Sequence, residues 1–315
     1  MAYSQGGLIT AGDYNNFVGS SPSSTVNTLN TVWAVGSGSA GYGQTAVGTV
    51  STTGLVTATQ WASLINTLNS ILTHQAGSGS GISATTSGQT INYLSTLSTS
   101  ITTAYTNRLN FASNAAITTG TPSATTWTVA STSATQNRAF GLRAAFASAD
   151  QARYFFNAGG RLKFNCSGSL SGSASARSTD IVNLLGYLGG VGLFAANTNA
   201  GRVGTGGTLN TNATTIGYHT STYNSNVTIV AVTSVNATYA ADTATITAIT
   251  NGTQGSNNDK GLNVDFWITL NSVQGSGSVS FDDDIGVSVS RSIDVSYPEV
   301  TNLTSTWGTV TISSL

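Results

Sequence analysis

The sequence predicts an α+β protein: a small helical N-terminal part followed by a mainly β, sandwich-like part. Two observations carry this reading. Up to about residue 115 the apolar residues recur at intervals of three and four, the period of one helix face. From about residue 120 they alternate with Thr, Ser and Asn in short runs separated by Asn-, Gly- and Ser-rich turns, the pattern of a sandwich. The division that follows is a helical docking or oligomerisation domain over 1–115 and a β-rich domain over 120–315, with a further division near 255 left open.

The helical part contains two similar segments. They are Gly7-Leu-Ile-Thr-Ala-Gly-Asp-Tyr-Asn-Asn-Phe17 and Gly54-Leu-Val-Thr-Ala-Thr-Gln-Trp-Ala-Ser-Leu64. In each, a threonine (Thr10, Thr57) stands three residues before Asp13 or Gln60, the spacing of a helix N-cap with a side chain reaching back to it. Behind Thr57, the residues Trp61, Leu64, Ile65, Leu68, Ile71 and Leu72 keep helical spacing. Behind Thr10 the helix carries Tyr14, Phe17 and Val18, and it resumes with Val26, Leu29, Val32 and Trp33. Gly36 to Gly48 reads as a glycine-rich connection. A third helix is expected between Thr90 and Asn110, on Ile91, Leu94, Leu97, Ile101, Tyr105 and Leu109. Its other positions are Ser, Thr and Asn, weak helix formers, so it needs neighbours from its own chain or from a symmetry mate. His74 closes the second helix, where a cation favours the macrodipole.

The β part opens with Trp127 and Val129, then Phe140, Leu142, Ala144 and Phe146. The densest mix of charge and aromatic residues follows, from Asp150 to Cys166. Tyr154-Phe155-Phe156, preceded by Arg153, leads into Asn157-Ala158-Gly159-Gly160, which reads as a tight turn. Beyond it Leu162, Phe164 and Cys166 alternate with Arg161, Lys163 and Asn165. The expectation is a β-hairpin clamping a sheet to the core, with Arg153, Tyr154, Phe155, Phe156, Asn157, Gly159 and Gly160 as its structural residues. A short helix is expected from Ile181, ending at Gly189-Gly190. Strands are expected at 228–232, 244–249, 262–270, 287–295 and 310–312, with turns at Asn251-Gly252 and Gly275-Ser-Gly277.

The nine residues Ala152-Arg-Tyr-Phe-Phe-Asn-Ala-Gly-Gly160 resemble a stretch of virion structural proteins of tailed bacteriophages, including cyanophage-like myoviruses. In those proteins the motif is followed by a strand, a small-residue segment and a helix; Ser173-Ala-Ser-Ala-Arg177 and Ile181-Val-Asn-Leu-Leu185 stand in the matching places. Ile9-Thr-Ala-Gly-Asp-Tyr-Asn-Asn-Phe17, Gly41-Tyr-Gly-Gln44, Val56-Thr-Ala-Thr-Gln-Trp61 and Asn69-Ser-Ile-Leu-Thr-His74 are similar to the N-terminal units of that group. The resemblance extends to about residue 250, and residues 260–315 depart from the pattern. It implies a virion component made in the host cytoplasm, without saying which part of the particle.

Composition bears on function class. Charged residues are 7% of the chain, against about 25% in a typical soluble domain, and the net charge is −1. No basic surface is therefore expected for nucleic acid or for an anionic membrane. Neutral chains tend to self-associate, which fits a homo-oligomer, a trimer being favoured. Residues 1–7 carry neither a basic n-region nor an apolar h-region, and no stretch approaches the ~18 apolar residues of a membrane span, so export by the usual signal is not expected. Cys166 is the one cysteine and reads as a buried small hydrophobe.

No catalytic or cofactor-binding residues are expected. The histidines are His74 and His219, the only glutamate is Glu299, and no Gly-x-Ser-x-Gly occurs. Asp282, Asp283 and Asp284 form a weak candidate for Ca²⁺; the blander reading is a solvated turn, because calcium loops space their ligands. Arg143, Arg153, Arg161 and Lys163 could contact an anion or polysaccharide, but they suit cross-strand ion pairs better. Gly201 to Gly207 lacks the Lys-(Ser/Thr) of a phosphate loop and reads as a flexible loop. The expected role is a non-enzymatic tail, neck or fibre appendage protein assembling with other virion proteins. The alternatives are a capsid decoration protein and a host-glycan adhesin. The adhesin needs exposed aromatics among Trp127, Tyr218, Tyr223, Trp267 and Trp307, and Trp267, in Val264-Asp-Phe-Trp-Ile268, looks more like core than surface.

Overall fold

The computed structural model describes residues 9–19, 28–34, 36–130, 134–172, 175–255, 260–273 and 284–315. Four helices come first: α1 (Ala11–Val18), α2 (Leu29–Trp33), α3 (Ala58–Ala76) and α4 (Leu94–Thr106). Both anticipated capping boxes are present. The Thr10 side chain accepts from the Asp13 N–H and the Asp13 side chain accepts from the Thr10 N–H; Thr57 and Gln60 do the same for α3. The two repeats then pack on each other, Trp61 lying 5.9 Å from the Tyr14 ring and 6.2 Å, edge-on, from Phe17. The resumed helix is only the five residues of α2, and Val26 lies outside the described residues.

The rest of the chain runs β1 (Asn114–Thr118), β2 (Ser123–Val129), β3 (Gln136–Ala145), α5 (Ala149–Asn157), β4 (Arg161–Leu170), α6 (Ala176–Leu188) and β5 (Gly190–Phe194). Then come β6 (Thr208–Asn212), β7 (Val227–Thr233), a 3-10 turn (Ala237–Tyr239), β8 (Thr243–Gln254), β9 (Gly261–Ser272), β10 (Ile285–Pro298) and β11 (Thr311–Ser314). Two antiparallel sheets form. One has the order β1-β10-β4-β5, with β2 also paired to β10; the other has the order β11-β3-β9-β8-β7-β6. The chain is thus α+β with a sandwich-like β part.

The two inner faces meet through alternate residues. Phe266 of β9 stacks on Phe164 of β4 at 5.1 Å and meets Phe194 of β5 edge-on at 5.3 Å. Trp127 of β2 meets Phe140 of β3 at 6.5 Å. Helix α6 packs against β4 and β10 of one sheet and against β7, β8 and β9 of the other, burying Ile181, Leu184, Leu185 and Leu188 between them. Buried side chains of the helical part and of the sandwich form one continuous apolar cluster.

Two expectations are corrected. The stretch from Arg153 to Asn157 is not a hairpin strand but the second half of helix α5. The reason is a cap and a face: the Ser148 hydroxyl accepts from the Gln151 N–H, and Ala149, Ala152, Phe155 and Phe156 fall on one side. Gly159 and Gly160 then end the helix rather than turn a hairpin. The Gly160 N–H donates to the Phe155 carbonyl at 2.8 Å and Gly159 has φ +91°, a left-handed helix cap. Second, Asn251-Gly252 lies inside β8, at a register irregularity, and does not join two strands. The proposed turn at Gly275-Ser-Gly277 lies outside the described residues.

Candidate functional site

Residues of the nine-residue motif build the joint between the helical part and the sandwich. Helix α5 directs them two ways. Phe155 and Phe156 point into the sandwich, where Phe155 meets Phe146 at 5.2 Å and Tyr297 at 5.8 Å, and Phe156 stacks on Tyr218 at 4.5 Å. Arg153, Tyr154 and Asn157 face the glycine-rich connection of the helical part. Arg153 Nη1 donates to the Ala40 carbonyl at 2.7 Å, Nη2 lies 3.2 Å from Asp150, and the guanidinium covers the Tyr154 ring at 4.7 Å. Asn157 Nδ2 points at the carbonyls of Gly38, Ala40 and Gly41, at 3.1, 3.2 and 3.1 Å. Its Oδ1 lies 2.8 Å from His219 Nε2.

The glycines make this approach possible. At Gly43, a β-carbon would fall 2.4 Å from Tyr154 Cδ2, so any other residue would push the ring away. At Gly159 it would fall 2.4 Å from Phe111 Cδ1, which carries Arg161 at 4.5 Å on its ring.

The connection is itself anchored on both sides. Its Tyr42 hydroxyl donates to the Arg108 carbonyl at 2.8 Å and accepts from Gln75 Nε2 at 2.8 Å; burial pushes its pKa up. Gln44 and Thr304 exchange two hydrogen bonds, 2.8 Å from Nε2 to the carbonyl and 2.9 Å from N–H to Oε1. The Thr306 hydroxyl donates to the Tyr42 carbonyl at 2.8 Å. Residues at 304–306, which sequence similarity did not reach, thus belong to the joint.

The electrostatics of the joint are those of a neutral interior. His74 is 2% exposed and burial lowers its imidazole to about 4, so at pH 7 it is neutral and not the helix-closing cation expected. Burial, with the charges of Arg153, Lys260 and Arg108, lowers His219 to about 4 as well. Cys166 is buried and its thiol is pushed up to about 12 by burial.

The remaining candidates are dispersed. Arg143 forms a two-pronged ion pair with Asp265, both contacts 2.8 Å, across β3 and β9, whereas Arg153 and Arg161 serve the joint. Asp282 and Asp283 lie outside the described residues; the Asp284 carbonyl accepts from the hydroxyls of Ser175 and Ser178. Among the described residues no cluster of three metal-type side chains occurs. Gly201 to Gly204 runs hydrogen-bonded along β5 and the end of α6. Trp127, Tyr218 and Trp307 are buried, while Tyr223 and Trp267 are half-buried.

A different group was missed by the sequence: Arg177, Asp180, Ser234, Asp242 and Ser272, all buried at one end of α6. Ser234 Oγ donates to Asp180 at 2.6 Å, Ser272 Oγ to Asp242 at 2.8 Å, and Arg177 Nε to Ser272 Oγ at 2.9 Å. Burial raises Asp180 to about 6 and raises Asp242. Nothing local in the sequence signals this group, because its members are up to 95 residues apart. It ties α6 to the sheet ends. Comparison of the chain with protein-family models, with curated proteins and with solved structures finds no significant match to any of them.

Proposed function

We propose that the chain is a non-enzymatic structural component of a tailed-phage virion, a tail, neck or fibre appendage protein. The observation that supports this most is the use made of the virion-like motif. Arg153, Tyr154 and Asn157 close a hydrogen-bonded joint onto main-chain carbonyls and a glycine. A joint of this kind fixes the direction in which a β part projects from a helical base, which is what an appendage needs.

Helix α4 supplies the surface for self-assembly into a trimer. It buries Leu97, Ile101 and Ala104 against its own chain and turns Ser and Thr outward. The hydroxyls of Thr99, Thr102, Thr103 and Thr106 each donate to the carbonyl four residues back, at 3.0, 3.0, 3.0 and 2.9 Å. A face with these four donors already satisfied is covered by another chain at reduced desolvation cost.

The test is gold-antibody labelling of intact particles of the source phage, viewed by electron microscopy. Label at the tail or neck supports the appendage reading. Label spread over the head reassigns the chain as a capsid decoration protein. Particles free of label, with an antibody that recognises the denatured particle's proteins in a blot, leave a buried assembly role; a negative blot overturns the virion reading.

A further inference from the structure

The outward face of the six-stranded sheet carries the indole of Trp267, and strand alternation explains why it is there. In β9, Phe266 and Ile268 are fully buried, so Trp267 between them points outward. It is opposed by Gly141 on β3 and by Thr247 on β8. A β-carbon on Gly141 would lie 2.9 Å from Trp267 Cδ2 and Cε3 and from Leu315 Cβ, so the indole and Leu315 share the space over the glycine. The Gly141 backbone has no positive φ, so what the position requires is space rather than backbone freedom. This corrects the core assignment that the sequence suggested for Trp267.

Hydroxyls flank the ring on its β8 side, opposite Gly141 and Leu315. Thr247 is paired to Thr228 on β7, and the next row on the same face pairs Thr245 with Thr269. Among the described residues, none of these four hydroxyls hydrogen-bonds a protein group, unlike the self-satisfied hydroxyls of α4. The one charged pair beside them is closed on itself: Arg143 and Asp265 meet at 2.8 Å and Asn251 Nδ2 donates to the same carboxylate at 2.6 Å.

We propose that this face binds a neutral saccharide, with Trp267 as the stacking platform. A pyranose has an apolar C–H face that covers an indole and an equatorial rim of hydroxyls that both donate and accept. Such a rim satisfies the four threonines reciprocally. An apolar peptide would bury them unpaired. For an anionic ligand, the cation beside the ring, Arg143, is already paired with Asp265. The surface stands independently of where the chain sits in a particle.

The test uses the full chain, titrated with neutral hexasaccharides of glucose, mannose and galactose and with a hexagalacturonate as the charged control. Binding is read by nuclear magnetic resonance at the Trp267 indole N–H. The expected result is a neutral glycan binding at a Kd of about 1 mM or tighter, weakened about tenfold or more by Trp267→Ala and by Gly141→Val, which lifts the ring while keeping it. Should either variant unfold, the pair Thr247→Val and Thr269→Val, the first half-buried and the second exposed, is expected to weaken the same glycan severalfold. No binding by any neutral member, tighter binding of the galacturonate, or binding indifferent to all these variants overturns the proposal. Light scattering that shows self-association lost in Trp267→Ala overturns it in favour of an interface between copies.

Discussion

Asn157 Oδ1 and His219 Nε2 lie 2.8 Å apart, and the rest of the Asn157 amide fixes what that contact is. Its nitrogen faces the carbonyls of Gly38, Ala40 and Gly41, so its oxygen must face the ring and accept. With the imidazole lowered to about 4, His219 is neutral and carries its proton on Nε2. Asn157→Asp keeps the shape but turns an oxygen toward the carbonyls. The expected cost is about 3 kcal/mol at pH 7, measured by urea denaturation. A midpoint unchanged from the parent would show that the amide does not hold the joint.

Two glycines give opposite expectations for the same substitution. Gly159→Ala forces a side chain into φ +91° and against Phe111, and should destabilise by about 2 kcal/mol or more. Gly186 lies within α6, exposed, with nothing within 4 Å of its would-be β-carbon. Gly186→Ala should therefore stabilise by about 0.5–1 kcal/mol through helix propensity. Thermal melts of the two variants check both signs; a loss at Gly186 would mean that α6 meets something outside the chain.

How much of this was legible depends on the range of the interaction. The capping boxes at Thr10 and Thr57 are written within four residues, and both formed. Five strands of the second sheet alternate in plain view and were found; the sixth, β6, was missed because Leu209 is its one apolar residue and its side chains are mostly exposed. Helix α5 was missed because three consecutive aromatics, Tyr154 to Phe156, obscure the period. They satisfy three different surroundings: Gly43, the sandwich core and Tyr218. Trp267 was misplaced for a related reason, since a run of apolar residues hides which of them alternates outward. The buried group around Asp180 assembles from α6 and from residues between Ser234 and Ser272, and no local pattern announces it.

The capping boxes can be weighed one against the other. Thr57→Ala removes the hydroxyl that accepts from the Gln60 N–H at 3.2 Å, and Thr10→Ala does the same at Asp13, also 3.2 Å. Each is expected to cost about 1 kcal/mol. The Thr10 box has a carboxylate at the helix N-terminus, so its contribution should fall with added salt while that of Thr57 stays constant. Denaturation in low and high salt separates them; equal salt responses would rule the carboxylate out as the source.

The pH profile sets His74 against Asp180. Burial lowers His74 from 6.5 to about 4, so the unfolded chain takes its proton more readily. Its stabilisation is complete above pH 6.5 and is lost as the pH falls toward 4, a difference of about 3 kcal/mol over the window. Asp180 runs the other way. Burial, aided by the charge of Asp242 and opposed by the Ser234 hydrogen bond, raises it from 3.8 to about 6. Its stabilisation is complete below pH 3.8 and is lost as the pH rises through 6, where ionisation leaves Oδ2 charged, buried and without a hydrogen-bond partner. Asp180→Asn retains an acceptor for Ser234 and removes the charge. It should gain about 1 kcal/mol at pH 8, gain nothing at pH 4, and steepen the acid loss that His74 and the equally lowered His219 cause together. Urea denaturation at pH 4, 6 and 8 decides it: an equal gain at pH 4 would trace the effect to packing, and a loss at pH 8 would mean that the ionised carboxylate is held by a partner.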